Sequence, residues 1–203
     1  MTFRFSAPPV KIPMEKGGQP LNDTWVQWFS LLYNSVSSVV GLLGGKDLNF
    51  PYGSFSNNAT QALTLANTPY VCTLDTDDAA NGVNRSGSKI NVAYAGVYNL
   101  QFSLQFENTA SSIADVWVWI RKNGVDVAGT ASTWAVTSSH GGVNGYMVGA
   151  CNFFVDVAAG DYLELVAAAD ATGIRIEAYP SSTSPFARPS IPATVVTLAF
   201  VSA

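Results

Sequence analysis

Apolar and polar residues alternate strictly between Gly96 and Glu107, which predicts a long strand with one dry face. The apolar row is Tyr98, Leu100, Phe102, Leu104 and Phe106, and the opposite row is Val97, Asn99, Gln101, Ser103 and Gln105. Because successive strand side chains point to opposite faces, the second row faces water or another subunit. A one-residue slip would bury unpaired amides at about 1–3 kcal/mol each, so the register is strongly specified.

Short apolar runs separated by turn residues surround this strand and predict an all-β domain over residues 51–203. Turn signals include Asn81-Gly82, Asn123-Gly124 and Gly160-Asp161. The predicted strands are Ala62–Leu65, Tyr70–Leu74, Ser88–Ala93, Val97–Glu107, Asp115–Arg121, Val125–Trp134, Tyr146–Val157, Tyr162–Ala168, Ile174–Ala178 and Thr194–Val201. About ten strands without an intervening helix indicate an antiparallel sandwich or barrel.

The period changes in residues 1–50, which predict an extended proline-rich arm followed by one amphipathic α-helix from about Asp23 to Val40. Its apolar stripe comprises Trp25, Trp28, Phe29, Leu32, Val36 and Val39. The segment Trp25–Gly45 is uncharged, but Gln27, Ser30 and Asn34 form a polar face, so we expect no membrane insertion. The stripe packs on its own domain or on copies of itself, or it docks the protein to a larger assembly. No secretory signal pattern is visible.

Composition favours an oligomer, because the chain has little charge with which to cover its surface. Of 203 residues, 48% are hydrophobic and 12% charged, about half the usual charged share. The apolar residues are dispersed in strands, so copies of the chain rather than lipid are expected to cover them. A net charge of -4 provides no basic footprint for nucleic acid.

Three motifs resemble, in order, the C1q/tumour-necrosis-factor-like jelly roll. They are Gly96-Val97-Tyr98-Asn99-Leu100, Val118-Trp119-Ile120-Arg121-Lys122-Asn123-Gly124 and Val157-Ala158-Ala159-Gly160-Asp161-Tyr162-Leu163, with a closing apolar strand at Val195–Val201. The resemblance covers about residues 53–203. It implies an antiparallel jelly-roll sandwich of about ten strands that forms compact homotrimers and binds diverse partners through its outer loops.

Two tryptophans on the predicted strand Asp115–Arg121 are candidates for the trimer interface. Val116, Val118 and Ile120 form one face of this strand and Trp117 and Trp119 the other, so both faces need cover. The alternative is a carbohydrate-stacking platform made by Trp117, Trp119 and Trp134.

The opening of the chain resembles small tail-region and head-fibre proteins of bacteriophages. The resemblance lies in Pro8-Pro9-Val10, Gly17-Gly18-Gln19-Pro20 and Asp23-Thr24-Trp25-Val26-Gln27-Trp28-Phe29-Ser30-Leu31-Leu32. In such proteins this part attaches to the particle. An arm, a helix and a trimeric knob together match the plan of a virion appendage.

Catalytic and metal-binding parts are not evident, so we expect neither enzymatic activity nor a cofactor. The single histidine, His140, lacks an accompanying Gly-x-Ser-x-Gly elbow and fits a loop between strands. Asp75, Asp77 and Asp78 offer oxygen ligands for Ca²⁺, but a solvated acidic turn is preferred because the terminal glutamate of helix-loop-helix calcium sites is absent. Cys72 and Cys151 lack metal spacing and are interpreted as buried free thiols, with a disulfide as the alternative.

The expected function is that of a structural protein of the phage virion, a trimeric fibre or knob that binds a host-surface glycan or protein. The candidate receptor-binding loops run from Ser132 to Gly145 and from Ser181 to Pro192. Their candidate residues are Trp134, His140, Asn144, Phe186 and Arg188. A capsid decoration protein that stabilises the shell is the first alternative, and a free lectin-like protein is the second. Other virion proteins of the tail or capsid are expected partners.

Overall fold

The computed structural model describes residues 8, 9, 12, 23–43 and 50–202, and helical side chains only as far as residue 36. The chain divides into two compact units, Met1–Asn49 and Phe50–Ala203, which are described separately. In the first unit, helix α1 spans Asp23–Leu43, so the predicted helix continues beyond Val40. Apart from residues 8, 9 and 12, the predicted arm lies outside the described residues.

The second unit contains fourteen strands where about ten were expected. They are β1 Tyr52–Asn57, β2 Gln61–Leu63, β3 Tyr70–Val71, β4 Thr76–Asn81, β5 Val83–Ser86, β6 Lys89–Val92, β7 Gly96–Asn108, β8 Ala114–Lys122, β9 Val125–Asp126, β10 Ser132–Val136, β11 Gly145–Val157, β12 Tyr162–Ala169, β13 Ile174–Ile176 and β14 Thr194–Ser202. β1 was not predicted because its Gly, Ser and Asn residues have low strand propensity.

The strands form two antiparallel sheets of seven strands each. In sheet A, β11 is an edge strand that pairs with β7, and β14 and β13 follow one another along the other side of β7. Sheet B has the order β10-β8-β12-β6-β5. The predicted all-β antiparallel jelly-roll sandwich with one helix is therefore confirmed.

The predicted register of the central strand β7 is confirmed by burial. Tyr98, Leu100, Phe102, Leu104 and Phe106 are at most 4% exposed and lie in the core between the sheets. Of the opposite row, Gln101 is exposed and Asn99, Ser103 and Gln105 are partly exposed. The alternation in the sequence therefore identifies which side of sheet A faces inward.

Two of the motifs that suggested the fold contact one another at one end of sheet B. Asn123, in the turn after β8, donates through Nδ2 to Asp161 Oδ1 at 2.7 Å, and Tyr162 N donates to Asn123 Oδ1 at 3.0 Å. Hydrogen bonds from Asn123 and from the Ala158 amide hold the pKa of Asp161 below its usual value. These residues stabilise adjoining turns, which explains why both motifs occur in one chain.

Two segments differ from the predicted strand pattern. Val125–Trp134 is not one strand, because residues 127–131 bulge out between β9 and β10. The acidic segment beginning at Asp75 is not a turn: Thr76–Asn81 form β4, which pairs with β1. Gly82, with a φ of 64°, then joins β4 in sheet A to β5 in sheet B.

Candidate functional site

The predicted attachment stripe on α1 is only partly covered. Trp25, Trp28 and Leu32 are half-buried, whereas Phe29 and Val36 are 40% and 44% exposed. The Trp25 indole donates to the Ile12 carbonyl at 2.8 Å, and Trp25, Trp28 and Phe29 form a cluster of aromatic rings. Val39 belongs to the helix, but its side chain lies outside the described residues.

A second apolar row on α1 was not separated from this stripe by sequence reasoning. Val26, Phe29, Tyr33 and Val36 recur at alternating three- and four-residue spacing and are 40–72% exposed. This spacing places side chains along one side of a helix, as in a coiled-coil seam. The helix thus presents an apolar face that is open to a partner.

Among the described strands of the second unit, β11 has the most exposed large apolar side chains. They lie on the outward face of sheet A. On β11, Tyr146, Val148 and Phe154 are 54%, 52% and 65% exposed. They stand opposite Glu107, Gln105 and Asn99 of β7. Beside them on β7 and β14 lie mostly amides, hydroxyls and small residues: Asn99, Gln101, Ser103, Gln105, Thr197 and Ala199.

β11 also has a free edge. Within residues 50–202 its thirteen residues pair along one side with β7, and no other strand pairs with it. A long edge strand with an exposed apolar row invites association unless something covers it. Sheet A therefore offers both an apolar surface and an unpaired strand edge for contact with another chain.

Trp117 and Trp119 lie on the outward face of sheet B, away from this apolar row. As predicted, Val116, Val118 and Ile120 of the same strand point into the core and are fully buried. Both tryptophans are half-buried. Their place at a trimer interface stays a prediction, because nothing in the described residues tests it.

A groove runs beside the two tryptophans because the chain bulges between β9 and β10. The Ile120 amide donates to Thr130 Oγ1 at 3.1 Å, and Thr130 Oγ1 donates to the Val127 carbonyl at 2.8 Å, so the bulge is tied to β8. The groove encloses about 410 Å³. Its lining residues are Trp117, Trp119, Asp126, Val127, Ala128, Gly129 and Ala131.

Asp126 supplies a carboxylate at the edge of this groove. Its Oδ1 lies 2.8 Å from Arg121 Nε. The pKa of Asp126 is lowered by the Trp119 indole N–H and then by the Arg121 guanidinium, so the ionised form is favoured. The buried indole Nε1 nevertheless does not reach hydrogen-bond geometry with any acceptor in the described residues.

Trp134, predicted to lie in a receptor-binding loop, belongs instead to β10. It stands opposite Val116, faces the core side of sheet B and packs edge-to-face on Phe102, with ring centroids 6.2 Å apart. Its ring packs against the hydrophobic core between the two sheets. It therefore cannot share a stacking platform with Trp117 and Trp119, which lie on the opposite face.

His140 and Phe186 do lie at exposed loop tips. The His140 amide donates to the Val143 carbonyl at 2.8 Å and the Val143 amide donates back at 3.0 Å, which closes a turn around Gly141 and Gly142. Phe186 is 65% exposed at the tip of a segment closed by the pairs Tyr179–Ile191 and Ser182–Arg188. No contact joins the two tips in the described residues.

Asn144 and Arg188 lie around a common polar cluster on the outward face of sheet A. Asn144 donates through Nδ2 to Glu107 Oε1. Glu107 is 5% exposed, and Arg175 Nε lies 3.2 Å from its Oε2 and 3.3 Å from Glu177 Oε2. Arg188 donates through Nη1 to the Pro180 and Pro189 carbonyls.

Tyr179 lies between these groups. Burial, the negative charge of Glu107, Tyr146 and Glu177 together raise its pKa to about 12, against the opposing effect of Arg175. Its ring contacts that of Tyr146 edge-to-face at 6.3 Å, and the Arg188 guanidinium lies 6.0 Å from its centroid. A pocket of about 270 Å³ lies between Tyr146, Tyr179, Arg188 and neighbouring residues.

The acidic segment that was considered for Ca²⁺ has protein partners instead. Asp77 pairs with Arg85 at 2.7 Å, Asp78 accepts from Ser56 and Asp75 accepts from the Asn58 amide. Among the described residues, no three His, Cys, Asp or Glu side chains gather into a group that could hold a metal.

The remaining predictions from composition concern cysteines and membranes. Cys72 and Cys151 are both free; Cys72 is buried and burial raises its pKa to about 12, whereas Cys151 is half-buried. Within the part of the chain that the structure describes, no helix combines the length and hydropathy of a membrane-spanning segment.

The fold has relatives among solved structures although the sequence has no recognised match. No protein-family model matches the chain, and no curated protein matches its sequence. Murine APRIL at pH 5.0 superposes with a TM-score of 0.50 at 11% identity, over 75% of this chain and 99% of that one. The chain has a TNF-like jelly-roll fold. Murine APRIL at pH 8.5 gives a TM-score of 0.48 at 10% identity, over 74% and 98%.

The exposed row of this jelly roll was missed although the sequence contains its signal. Along Tyr146–Val157, both alternating sets include apolar residues, the same feature that singled out Trp117 and Trp119. Tyr146, Val148 and Phe154 could have been proposed on that basis. The Glu107 cluster had no comparable signal, because its members come from strands distant in sequence.

Proposed function

We propose that the chain is a homotrimeric structural protein of a bacteriophage particle. Its jelly roll forms a knob that binds the host surface, and its N-terminal arm and helix attach the knob to the virion. The observation that carries the proposal is the exposed apolar row Tyr146, Val148 and Phe154 on an edge strand. It adds to the low charge of the chain and to the resemblance of residues 8–32 to phage tail-region proteins.

Sheet A is the surface that we assign to assembly. Along β11 the outward row combines three large apolar side chains with Ala150 and Asn152, and Asp156 is its only acidic or basic member. Burying each large side chain is worth about 1.5–3 kcal/mol, so a face of this kind supports stable association. Trp117 and Trp119, the interface that the sequence predicts, lie on sheet B instead. Sedimentation of variants on each sheet compares the two faces.

The helix supports attachment rather than a free lectin-like protein. The row Val26, Phe29, Tyr33 and Val36 leaves apolar surface uncovered, which is costly for a free protein and useful for one that docks. A decoration protein would use the same helix on the capsid, so the fibre and decoration readings share this feature. Binding of the full chain to capsids, tails and intact host cells separates the two.

Sedimentation of the full chain tests the assembly. We expect a particle of three times the chain mass of 21.5 kDa. Phe154→Glu should weaken the trimer by roughly 2 kcal/mol or more per interface, because it removes apolar burial and inserts a charge. Val125→Glu is the matched control, since Val125 is 71% exposed but lies on sheet B.

Two results would count against this assignment. A full chain that sediments as a monomer at every concentration contradicts the homotrimer. A trimer that survives Phe154→Glu but dissociates on Trp119→Glu moves the interface to sheet B, as the sequence first predicted.

A further inference from the structure

We propose that the groove formed by Trp117, Trp119 and the bulge 127–131 binds a pyranose unit of a polysaccharide. This inference deepens the surface-binding role and rests on the proposed function for the source of the glycan, a bacterial surface. The chemistry of the ligand follows from the groove alone. Trp134 has no part in the site, since it faces the core from the other side of sheet B.

The floor of the groove is apolar. Trp117 and Trp119 are alternate residues of β8, so their indoles stand about 7 Å apart on one face. Directly opposite them on β12 lie Ala168 and Val166, both buried, whereas both indoles are half-buried and line the groove. A pyranose ring offers a flat face of C–H groups that packs on such a surface.

Trp119 places a buried indole N–H at the groove. Its Nε1 meets hydrogen-bond geometry with no acceptor in the described residues, although the N–H lies close enough to the Asp126 carboxylate to lower the pKa of that group. Buried donors are usually paired, and leaving one unpaired costs about 1–3 kcal/mol. A ligand hydroxyl that accepts from this N–H would recover part of that cost, which gives a sugar an anchoring point beside its apolar contact.

A charged side chain borders the groove. Asp126 is an ionised acceptor held 2.8 Å from Arg121 Nε, and its remaining lone pairs can accept from ligand hydroxyls. Neighbouring hydroxyls of one pyranose can accept from Trp119 and donate to Asp126 at the same time. A peptide segment has fewer donors and acceptors so closely spaced, and the groove therefore favours a saccharide over a peptide.

The groove has room for a sugar ring. Ala128, Gly129 and Ala131 form the bulge wall, and their small side chains leave a groove of about 410 Å³. This volume falls in the range of about 300–1,000 Å³ that is usual for small-ligand sites. The groove is open to solvent rather than enclosed, as a site for one unit within a longer chain requires.

The test begins with the full chain on an array of bacterial capsular, O-antigen and teichoic polysaccharides. An oligosaccharide from the best signal is then titrated calorimetrically into the wild type and three variants. Trp119→Phe keeps the ring face and removes the donor, and we expect about fivefold weaker binding. Trp117→Ala should lose roughly tenfold or more. Asp126→Asn changes only an exposed side chain and should also weaken binding several-fold.

Trp134→Phe is the matched control, because it makes the same change at an indole outside the groove and should leave affinity unchanged. Sedimentation and circular dichroism of each variant exclude loss of assembly or fold. An array without signal, equal affinity of Trp119→Phe, Asp126→Asn and the wild type, or groove-dependent binding to a proline-rich peptide panel instead of glycans would each overturn the inference.

The two proposals fail in different ways. Binding to intact bacterial cells that survives all three groove substitutions refutes the groove as the receptor site and leaves the surface-binding function standing. Groove-dependent glycan binding by a chain that associates with neither cells nor phage particles supports the saccharide site and refutes the virion role.

Discussion

Glu107 continues the row of β7, Val97 to Gln105, that was predicted to face water or another subunit, yet it is 5% exposed. Tyr146 on β11 and Arg175 on β13 stand opposite it on either side and cover it. A carboxylate taken out of water is tolerated only with partners, and Asn144 and Arg175 supply them. The contact between Glu107 and Arg175 is therefore expected to matter more than the surface ion pairs of the chain.

We expect Arg175→Met to lower the free energy of unfolding by about 2 kcal/mol, because Glu107 would stay buried without its cation. The figure is below that for a fully buried pair, since the Arg175 side chain is 38% exposed. Urea unfolding at neutral pH measures it. Arg121→Met is the matched control and should cost less than about 1 kcal/mol, because its partner Asp126 is 57% exposed.

Equal losses for the two substitutions would show that the Glu107 contact has no special weight.

For single residues, the sequence predicts which side chains alternate between the two faces of a strand, but not which partners offset the burial of a charge. The burial of Tyr98 follows from its own strand, since period-two alternation is a local property. The burial of Glu107 depends on which distant strands flank β7, and no local pattern of residues encodes that choice.

At the scale of elements, the start of β11 depends on a close approach between two backbone segments. A Cβ on Gly145 would overlap the carbonyl oxygen of Thr137 and lie 2.6 Å from its carbonyl carbon. Neither group is a flexible side chain that could move aside. Glycine is therefore required here by space, although the sequence reading treated Gly145 only as the end of a loop.

We expect Gly145→Ala to destabilise the jelly roll by roughly 3 kcal/mol or more, because the loop 137–144 must move away from β11 to admit a methyl group. Gly141→Ala is the control: its φ is 59°, but no atom lies within 4 Å of the added Cβ. It should cost only about 1–2 kcal/mol of left-handed strain. Chemical unfolding of both variants provides the comparison, and a smaller loss at Gly145 than at Gly141 would contradict the steric argument.

The elements that sequence reasoning recovered are those with strong local signals. β7, β11 and β12 are long and apolar, and the period of α1 is helical, so each was predicted near its observed bounds. β9 and β10 were joined into one strand because the bulge between them is closed by Thr130, whose hydroxyl bonds to backbone groups of β8 and its own loop. Such a tertiary contact leaves no periodic trace in the sequence.

For the whole molecule, turn chemistry was more informative than hydrophobic pattern. Three motifs in order, one strand and two turns, indicated the jelly roll, and the structure explains the two turns through the contact between Asn123 and Asp161. The assembling surface was harder to predict from the sequence, because its free strand edge depends on β11 lying at the edge of sheet A. Strand order is a global property, so the sequence shows that both faces of β11 carry apolar residues but not that β11 lies at an edge of its sheet.

The division of the chain into two compact units leads to a prediction for the particle. Residues 50–203 contain the whole of the described core, so a version that lacks residues 1–49 should stay folded. Because the exposed apolar row of α1 is then gone, we expect it to lose binding to phage particles. Full-length and shortened chains are compared for binding to empty capsids, to tails and to intact host cells. Phe29→Asp with Tyr33→Asp in the full chain is the matched variant, because it changes only exposed positions of the helix.

Cell binding by the shortened jelly roll, with tail binding only by the full chain, supports the fibre. Helix-dependent capsid binding without cell binding supports the decoration protein instead, and full retention of particle binding after deletion would refute attachment through the helix.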